Sequence, residues 1–573
     1  MEKIKNFITK HKFIDIMIII AVMLILSYLC SESCNCIFSD RGREFLIPKE
    51  ILNGAVPYKD ITMIYFPLAY YINAFFYKLF GVSIHTLLIT QTCICCICLV
   101  AYYLTATEFL KRSTSLLLTI LIIIVGVFST NDLFSWIMPY SYSRAYGVIG
   151  TLICIFCLIK LFRTDNLKYA YLAGIIAGFS LSCKLEFLTT VLILIIGLAL
   201  YKKLTIYKYI KIFGCILIFP IITITTLFIQ GVSIQNISDA INFGIAFSRT
   251  DVMIEFLTKN GLLPFEIMKN LSQIALNAPL ALAIIFLCFL GLKCKNKYLH
   301  YPIIVIMAFA IWYFYSHPYR INQYWSILPF FVLAITIFNF KNLLKQDKLF
   351  LFLLIASVIA AQREFFKLSL AHYGVFSFPM LILATCAICA KFLPEAIKGV
   401  NLKNLMNFSL IAFIGLYSIN LYNMEKTTTY PVLRTLRQGS LYTNYDMGSL
   451  LYKTIDYIEK NTDPNASILV LPEGSIINFI TNRKVDMHCF MMDRLYHDAY
   501  GEEKAKDLIA KTNSDYIVII HVRRNSDSSS FNRPDLYEYE SSSLASKYII
   551  ENYTRVEKFN LSGDNYISIL KKN

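Results

Sequence analysis

Apolar blocks of roughly 16–20 residues recur along the chain between short polar stretches, and an α-helix of this length crosses the hydrocarbon core of a bilayer. Thirteen such blocks lie at about 13–30, 86–106, 114–129, 146–162, 169–183, 187–201, 212–229, 276–292, 301–316, 324–339, 349–362, 375–391 and 405–421. The pattern predicts a polytopic all-α membrane protein with about 13 transmembrane helices. Only 16% of the residues are charged, compared with about 25% in soluble domains, which excludes a cytosolic enzyme.

Basic residues are concentrated in every second connection between the apolar blocks, for example Lys111 with Arg112 and Lys202 with Lys203. Cytoplasmic loops of membrane proteins are enriched in lysine and arginine in this way. The alternation predicts a multi-pass protein of the bacterial inner membrane with a cytoplasmic N-terminus and an extracytoplasmic C-terminus. The net charge of +16 is therefore explained by orientation in the membrane. Membrane lipids are expected partners, and nucleic acid is not.

The connections on the predicted outer side include three long segments, at 31–85, 231–277 and from 422 to the C-terminus. The last segment alternates strand-like and helix-like patterns. The strands are predicted at 466–472, 516–522 and 566–571, and the helices at 447–460, 502–511 and 542–551. Such alternation is typical of an α/β domain with a largely parallel sheet. The chain thus divides into a membrane body at 1–421, which includes the first loop at 31–85, and an extracytoplasmic α/β domain at 422–573.

Charged groups beside a bilayer are costly and are often functional, and the predicted outer loops hold many of them. Asp40 and Glu44 are four residues apart in a stretch with helical spacing, so they share one helix face. Together they can bind a hydroxyl group or a divalent cation, or Glu44 can simply pair with a neighbouring arginine. Asp40 is a candidate general base, and basic side chains of other loops are candidates for holding a phosphate.

The stretch SDRGREFLIPKEILNGAVPYKDITMIYFPLAYYINAFFYKLFG resembles the first extracytoplasmic loop of a family of bacterial membrane glycosyltransferases. These are the enzymes similar to dolichyl-phosphate-mannose-protein mannosyltransferase and lipid A aminoarabinose transferase. The matching elements are the early Asp40, then Gly54, Tyr58 and Asp60, and then a proline turn at 66–68. LAGIIAGFSLSCKLEF, HPYRINQYWSILPFF and PEGSIINFITNR resemble later elements of the family, in the same order along the chain.

The resemblance implies a GT-C fold and an inverting transfer of a sugar from a polyprenyl-phosphate-linked donor. The acceptor would be a lipid, glycan or protein of the cell envelope. Asp40 matches the family's catalytic aspartate, and Glu44 is a second catalytic candidate. The candidates for the donor phosphate are Lys59, Arg144, Lys184 and Arg320, and those for other substrate contacts are Arg43, Tyr58, Asp60, His317, Tyr324, Arg363 and His372.

Two departures from the family pattern affect these expectations. Arg41 follows Asp40 where the family often has a second acidic residue, and Tyr65 stands where several members have a lysine. Cofactors are left open: a divalent cation is one candidate, but one Asp and one Glu make a thin ligand set, and no metal ligands are assigned. Tyr324 and Tyr373 also fit an aromatic belt at the membrane surface. A lipid-carrier flippase or a transporter of envelope precursors is the alternative function.

Overall fold

The computed structural model describes residues 2–30, 38, 40–129, 132–259, 271, 272, 275, 325–396, 402–427, 430–435, 439–522, 536–537, 541–561 and 565–573. The helices of the membrane body are α1 (Glu2–Cys30), α2 (Arg41–Leu52), α3 (Leu68–Phe80), α4 (Ile84–Ala106), α5 (Arg112–Ile122), α6 (Tyr142–Thr164), α7 (Lys168–Cys183), α8 (Leu188–Tyr201), α9 (Ile206–Ile229), α10 (Ile234–Ser248), α11 (Asp251–Lys259), α12 (Ile327–Gln346), α13 (Lys348–Ala360), α14 (Gly374–Ala396) and α15 (Leu402–Thr427).

The described residues include six helices that are long and apolar enough to cross a membrane. They lie at Lys12–Cys30, Ile84–Ala106, Tyr142–Thr164, Ile206–Ile229, Ile327–Gln346 and Gly374–Phe392. Shorter apolar helices lie at Arg112–Val127, Leu185–Tyr201 and Lys348–Ala360. Eleven of the thirteen predicted blocks coincide with helices, while those at 276–292 and 301–316 fall outside the described residues. A multi-pass membrane protein is therefore confirmed, and the number of thirteen spans stays a prediction.

Small residues allow the helices of the membrane body to approach closely. In α7, a Cβ atom at Gly178 would lie 2.0 Å from the carbonyl oxygen of Ile216 in α9, and one at Gly174 would lie 2.9 Å from that of Ile212. Glycines at helix contacts bring backbones together in membrane proteins, where van der Waals packing replaces the hydrophobic driving force. This packing fixes α7, whose last turn ends directly before Lys184.

The C-terminal α/β domain, which the sequence predicts to be extracytoplasmic and which is called the outer domain below, follows α15. It contains the hairpin of β1 (Tyr430–Thr435) and β2 (Gly439–Thr443), then α16 (Tyr445–Asn461), β3 (Ile468–Leu471), α17 (Ser475–Thr481), α18 (Arg494–Tyr500), α19 (Glu502–Thr512), β4 (Tyr516–His521), α20 (Leu544–Asn552), β5 (Tyr553–Asn560) and β6 (Tyr566–Lys572). The last four strands form one sheet in the order β3-β4-β6-β5. All three predicted strands and all three predicted helices are present.

The predicted sheet type is wrong. Strands β3 and β4 are parallel, but β6 runs antiparallel to both β4 and β5, so the sheet is mixed. The prediction missed β5, whose residues are mostly exposed and which includes charged side chains such as Arg555 and Glu557. In this edge strand Tyr553 is the one fully buried residue, so an apolar alternation is hardly visible in the sequence.

The outer domain packs directly on α2, the helix that begins after Asp40. A Cβ atom at Gly42 would lie 2.3 Å from the backbone nitrogen of Ile476, so only glycine allows this approach of α2 to α17. The rings of Phe45 and Phe479 lie 5.6 Å apart between the same two helices. The backbone N–H of Thr62 also donates to the carbonyl oxygen of Met487 at 3.2 Å. The first loop and the outer domain therefore form one packed unit.

Candidate active site

Asp40 lies directly before α2, and its side chain is 31% exposed. The Nη1 atom of Arg43, one turn further on, is 2.8 Å from Oδ1 of Asp40. Arg43 itself is buried, and its Nη2 atom donates to the carbonyl oxygen of Tyr140 at 2.9 Å. The loop before α6 thus holds Arg43, and Arg43 in turn holds the carboxylate that the sequence assigned as general base.

Glu44 lies buried one turn after Asp40, and its catalytic role stays a prediction. Its carboxylate is buried and accepts hydrogen bonds from the Tyr70 hydroxyl at 2.7 Å and the Tyr142 backbone N–H at 2.8 Å. It also accepts from Nε of Arg43 at 3.0 Å. With both oxygens engaged by buried donors, Glu44 joins α2 to α3 and α6. It anchors Arg43, in agreement with the alternative that Glu44 pairs with a neighbouring arginine.

A second group of charges lies where α6, the α7–α8 turn and the turn after α13 meet. Glu186 accepts from Arg144, lies 2.8 Å from Nη1 of Arg363 and lies 3.4 Å from Nζ of Lys184. Arg144 also pairs with Glu364 at 2.9 Å. Arg144 and Glu364 are buried, whereas Lys184, Glu186 and Arg363 are 16–22% exposed. The structure therefore brings the predicted cations Arg144, Lys184 and Arg363 together. Of these, Lys184 and Arg363 are partly exposed.

Two tyrosines connect Asp40 and Arg43 with this second group. The Nζ atom of Lys184 and the Cζ atom of Arg43 lie 4.9 Å and 5.4 Å from the ring centroid of Tyr65. The guanidinium of Arg363 lies 4.2 Å from the ring centroid of Tyr373. Burial raises the pKa of Tyr373 and the nearby Asp40 carboxylate raises it further, against the opposing effect of Arg363. Asp40 thus belongs to one continuous site with Lys184 and Arg144, two of the four phosphate-binding candidates, and with Arg363.

The outer domain contributes to this site through the segment before α18. The Sδ atom of Met491 lies 3.8 Å from Nη1 of Arg43. Asp493, two residues later, accepts a hydrogen bond from the backbone N–H of Tyr496 at 3.0 Å. The pKa of Asp493 is raised to about 7, mainly by burial and also by the negative charge of Asp40, against the lowering effects of the Tyr496 backbone N–H and of Arg43. Asp493 is therefore close enough to interact with both residues of the first loop.

Lysine 184 has an electrostatic setting that suits a ligand-binding cation. The pKa of Lys184 is lowered to about 7, chiefly by burial, although the carboxylate of Glu186 favours the charged form. The guanidinium groups of Arg363 and Arg144 add to the lowering. An anionic ligand beside Lys184 would raise its pKa, against the lowering effects of burial and of the two guanidinium groups.

Tyr58 and Asp60 shape the turn that follows α2. Oδ2 of Asp60 accepts from the backbone N–H of Val56 at 2.8 Å, and Tyr58, at a φ of 67°, donates its hydroxyl to the carbonyl oxygen of Tyr65 at 2.9 Å. These contacts position Tyr65. Lys59 is exposed, and its ammonium lies 3.7 Å from the place that a Cβ at Gly231 would take. None of these contacts joins Lys59 to Asp40.

His372 lies among aromatic rings, 4.7 Å from Phe134 and 5.7 Å from Tyr373 between centroids. Burial lowers its pKa to about 4, and Lys367 adds to the effect, so the imidazole is neutral at pH 7. His372 thus packs against Tyr373, and its contact with a substrate stays a prediction. His317, Arg320 and Tyr324 lie outside the described residues, and their predicted parts stay predictions.

Three members of the site go beyond the sequence prediction. Tyr65 is predicted only as a departure from the family pattern, Tyr373 fits an interfacial belt, and Asp493 has no predicted role. A signal was available for Tyr65, because it replaces a lysine of the family at a position that faces two cations. Asp493 offered none, since more than 400 residues separate it from Asp40.

The described residues do not fit a divalent cation. The described residues contain no group of three or more His, Cys, Asp or Glu side chains that could hold a metal ion. Asp40 and Glu44, the pair that suggested one, are both paired with Arg43. Mg²⁺ and Ca²⁺ require several oxygen ligands that are free of competing cations.

The sequence matches no protein-family model, and a search of the curated proteins gives no match. The structure is similar to ArnT from Cupriavidus metallidurans bound to undecaprenyl phosphate, with 12% identity, 97% of each chain covered and a TM-score of 0.43. It is also similar to the oligosaccharyltransferase AglB from Archaeoglobus fulgidus, solved in complex with an inhibitory peptide and a dolichol-phosphate. There the identity is 13%, the coverage is 89% of this chain and 69% of that chain, and the TM-score is 0.48.

The apo form of the Archaeoglobus fulgidus oligosaccharyltransferase gives a TM-score of 0.49 at 12% identity, over 97% of this chain and 74% of that chain. Structures of membrane glycosyltransferases are thus among those to which the chain is similar. Since none of these TM-scores reaches 0.5, the chemistry of this chain rests on the contacts described above.

Proposed function

We propose that this chain is an integral-membrane glycosyltransferase of the GT-C type, which transfers a sugar from a polyprenyl-phosphate-linked donor to an envelope acceptor. One observation carries the proposal. Asp40, a partly exposed carboxylate, shares a continuous site with the partly exposed cations Lys184 and Arg363. A transfer from a phosphate-linked donor needs a base for the incoming hydroxyl and cations for the departing phosphate, and this site has both.

In the proposed step, Asp40 accepts the proton of an acceptor hydroxyl while the hydroxyl oxygen bonds to the anomeric carbon. The bond between that carbon and the phosphate oxygen breaks, and its electron pair leaves with the polyprenyl phosphate. Attack from the face opposite the leaving group inverts the anomeric centre. Lys184 and Arg363 stabilise the charge that develops on the phosphate, because fixed cations in a partly buried site lower the energy of a developing anion.

The site is held in place before any substrate binds. The ion pair with Arg43 fixes Asp40, and the buried pair of Arg144 and Glu364 fixes the turn that carries Arg363. Preorganisation of this kind reduces the reorganisation that the reaction itself requires. We further propose that the site faces outward, with the N-terminus in the cytoplasm and the outer domain covering the acceptor side.

The transporter alternative has less support from the described residues. It needs polar groups deep in the spans that are accessible from both faces. Asp15 is the acidic residue inside the first span, and it is 2% exposed. Its carboxylate accepts from Nη2 of Arg112 at 2.7 Å and from the hydroxyl of Tyr103. Asp15 thus joins three helices and does not line an open path.

The test is sugar transfer by the purified chain in nanodiscs, using radiolabelled polyprenyl-phosphate sugars and an envelope-lipid extract as acceptor. Asp40→Asn should lower the rate by about 10²–10⁴-fold, since it removes the base and keeps the shape. Asp239→Asn, on exposed α10, is the matched control and should keep the parental rate. An Asp40→Asn variant as active as the parent would refute the assignment. Uptake into sealed vesicles without a covalent product would favour the transporter.

A further inference from the structure

The guanidinium of Arg43 lies between the carboxylates of Asp40 and Glu44. Nη1 is 2.8 Å from Asp40 and Nε is 3.0 Å from Glu44. The two carboxylates come from one turn at the start of α2, where their spacing would allow a divalent cation to bridge them. In this structure the bridge is made by an arginine of the same turn.

Arg43 is fixed in this position by contacts on its other sides. It donates through Nη2 to the Tyr140 carbonyl oxygen at 2.9 Å, and Met491 of the outer domain lies 3.8 Å from Nη1. The Arg43 side chain is 5% exposed. Glu44 accepts from two further donors, Tyr70 and Tyr142, so its oxygens are engaged as well. A divalent cation could bind both carboxylates only by displacing a buried, permanently charged guanidinium.

We propose that Arg43 takes the place of a divalent cation in this site, so that the transfer proceeds without a bound metal. Arg43 is then a positioning residue: it offsets part of the negative charge of the two carboxylates and holds one oxygen of Asp40 in a fixed direction. Its charge is permanent, so the site is independent of the supply of metal ions. The role of Arg43 in the reaction rests on the proposed function. The predicted lack of metal binding rests only on the geometry of α2.

The first experiment measures Mn²⁺ binding to the full chain in nanodiscs by electron paramagnetic resonance, which does not require activity. The parent and Asp40→Asn should bind the same small amount of Mn²⁺. Binding by the parent that is lost in Asp40→Asn would overturn the proposal. In the transfer assay, a chelator should change the parental rate by less than about twofold. Loss of the rate with chelator and its return with Mn²⁺ would overturn the proposal while leaving the glycosyltransferase assignment intact.

The second experiment removes the arginine. Arg43→Ala frees both carboxylates, and we expect it to gain Mn²⁺ binding that is lost again in the double variant with Asp40→Asn. Arg43→Lys keeps a positive charge, so it should bind no more Mn²⁺ than the parent. Equal Mn²⁺ binding by a folded Arg43→Ala variant and the parent would contradict the proposal. If Arg43→Ala does not fold, the comparison of Mn²⁺ binding between the parent and Asp40→Asn tests the proposal by itself.

Discussion

Arg144 and Glu364 form a buried ion pair in which Nη2 donates to Oε1 at 2.9 Å, across 220 residues of sequence. Arg144 belongs to the first turn of α6, and Glu364 lies in the short turn after α13. The hydroxyl of Ser377 in α14 also donates to Glu364. The pair therefore ties three helices together at the end where the site lies, and it fixes the neighbouring Arg363.

Glu364→Ala should destabilise the protein strongly, because Arg144 would keep a buried charge with less compensation. Losing one partner of a buried ion pair costs about 3–5 kcal/mol. Asp456→Ala is the matched control: it removes the carboxylate from the pair with Lys460, in which the two side chains are 41% and 71% exposed. Exposed pairs contribute about 0–1 kcal/mol. Thermal unfolding in detergent should show a clearly larger fall in Tm for Glu364→Ala, and equal falls would contradict this account of the pair.

Donor binding should weaken as the pH rises through about 7, the pKa to which burial lowers Lys184. Below this pH the ammonium is charged and attracts the phosphate, and above it the neutral amine does not. A bound phosphate raises the pKa, so the midpoint seen with donor present should lie higher than without it. Binding of a polyprenyl phosphate, measured between pH 6 and pH 9, tests this sign.

Lys184→Arg is the control for that titration, because an arginine stays charged over the whole range. Its affinity for the polyprenyl phosphate should vary less with pH than that of the parent. Lys184→Gln should bind weakly at every pH. A parental pH dependence that persists unchanged in Lys184→Arg would assign the titration to another group.

Asp493→Asn should change how stability depends on pH. An aspartate in an unfolded chain has a pKa of about 3.9, and burial raises that of Asp493 in the folded state to about 7. Between these values the folded state keeps a proton that the unfolded state has lost, so stability falls as the pH rises. The asparagine has no such penalty and can still accept from the Tyr496 backbone N–H.

We therefore expect Asp493→Asn to raise Tm relative to the parent at pH 8 and to change it little at pH 4. Asp498→Asn, at a part-exposed carboxylate of the same helix, is the control and should shift Tm less at pH 8. The opposite sign, with Asp493→Asn less stable than the parent at pH 8, would show that the charged form of Asp493 is favoured.

The sequence could predict the helices because a membrane span has one dominant requirement, an apolar stretch of sufficient length. It could also place Asp40, Lys184 and Arg363 on connections of one side, since the basic loops alternate. It could not give the contacts of Tyr65 and Tyr373 with the cations, because ring-to-cation distances depend on how distant loops fold together. Asp40 and Glu44 were correctly placed on one helix turn, yet only the structure shows that Arg43 occupies the space between them.

The contact between α2 and the outer domain yields the last prediction. At Gly42 an added Cβ would meet the backbone of Ile476 at 2.3 Å, and a backbone cannot move aside as a side chain can. Gly42→Ala must therefore push α17 away from α2, at a cost of about 1–3 kcal/mol for the overpacking. The same displacement would separate Met491 from Arg43, so the rate of transfer should fall together with Tm.

Gly244→Ala separates this effect from a general response of helical glycines to substitution. Gly244 lies within α10, and an added Cβ there would meet no atom within 4 Å. Alanine is the better helix former, by up to about 1 kcal/mol, so Tm should stay the same or rise. Protease cleavage of the outer domain should become faster in Gly42→Ala alone. If both variants behave alike, the close approach of α2 to α17 does not hold the outer domain on the site.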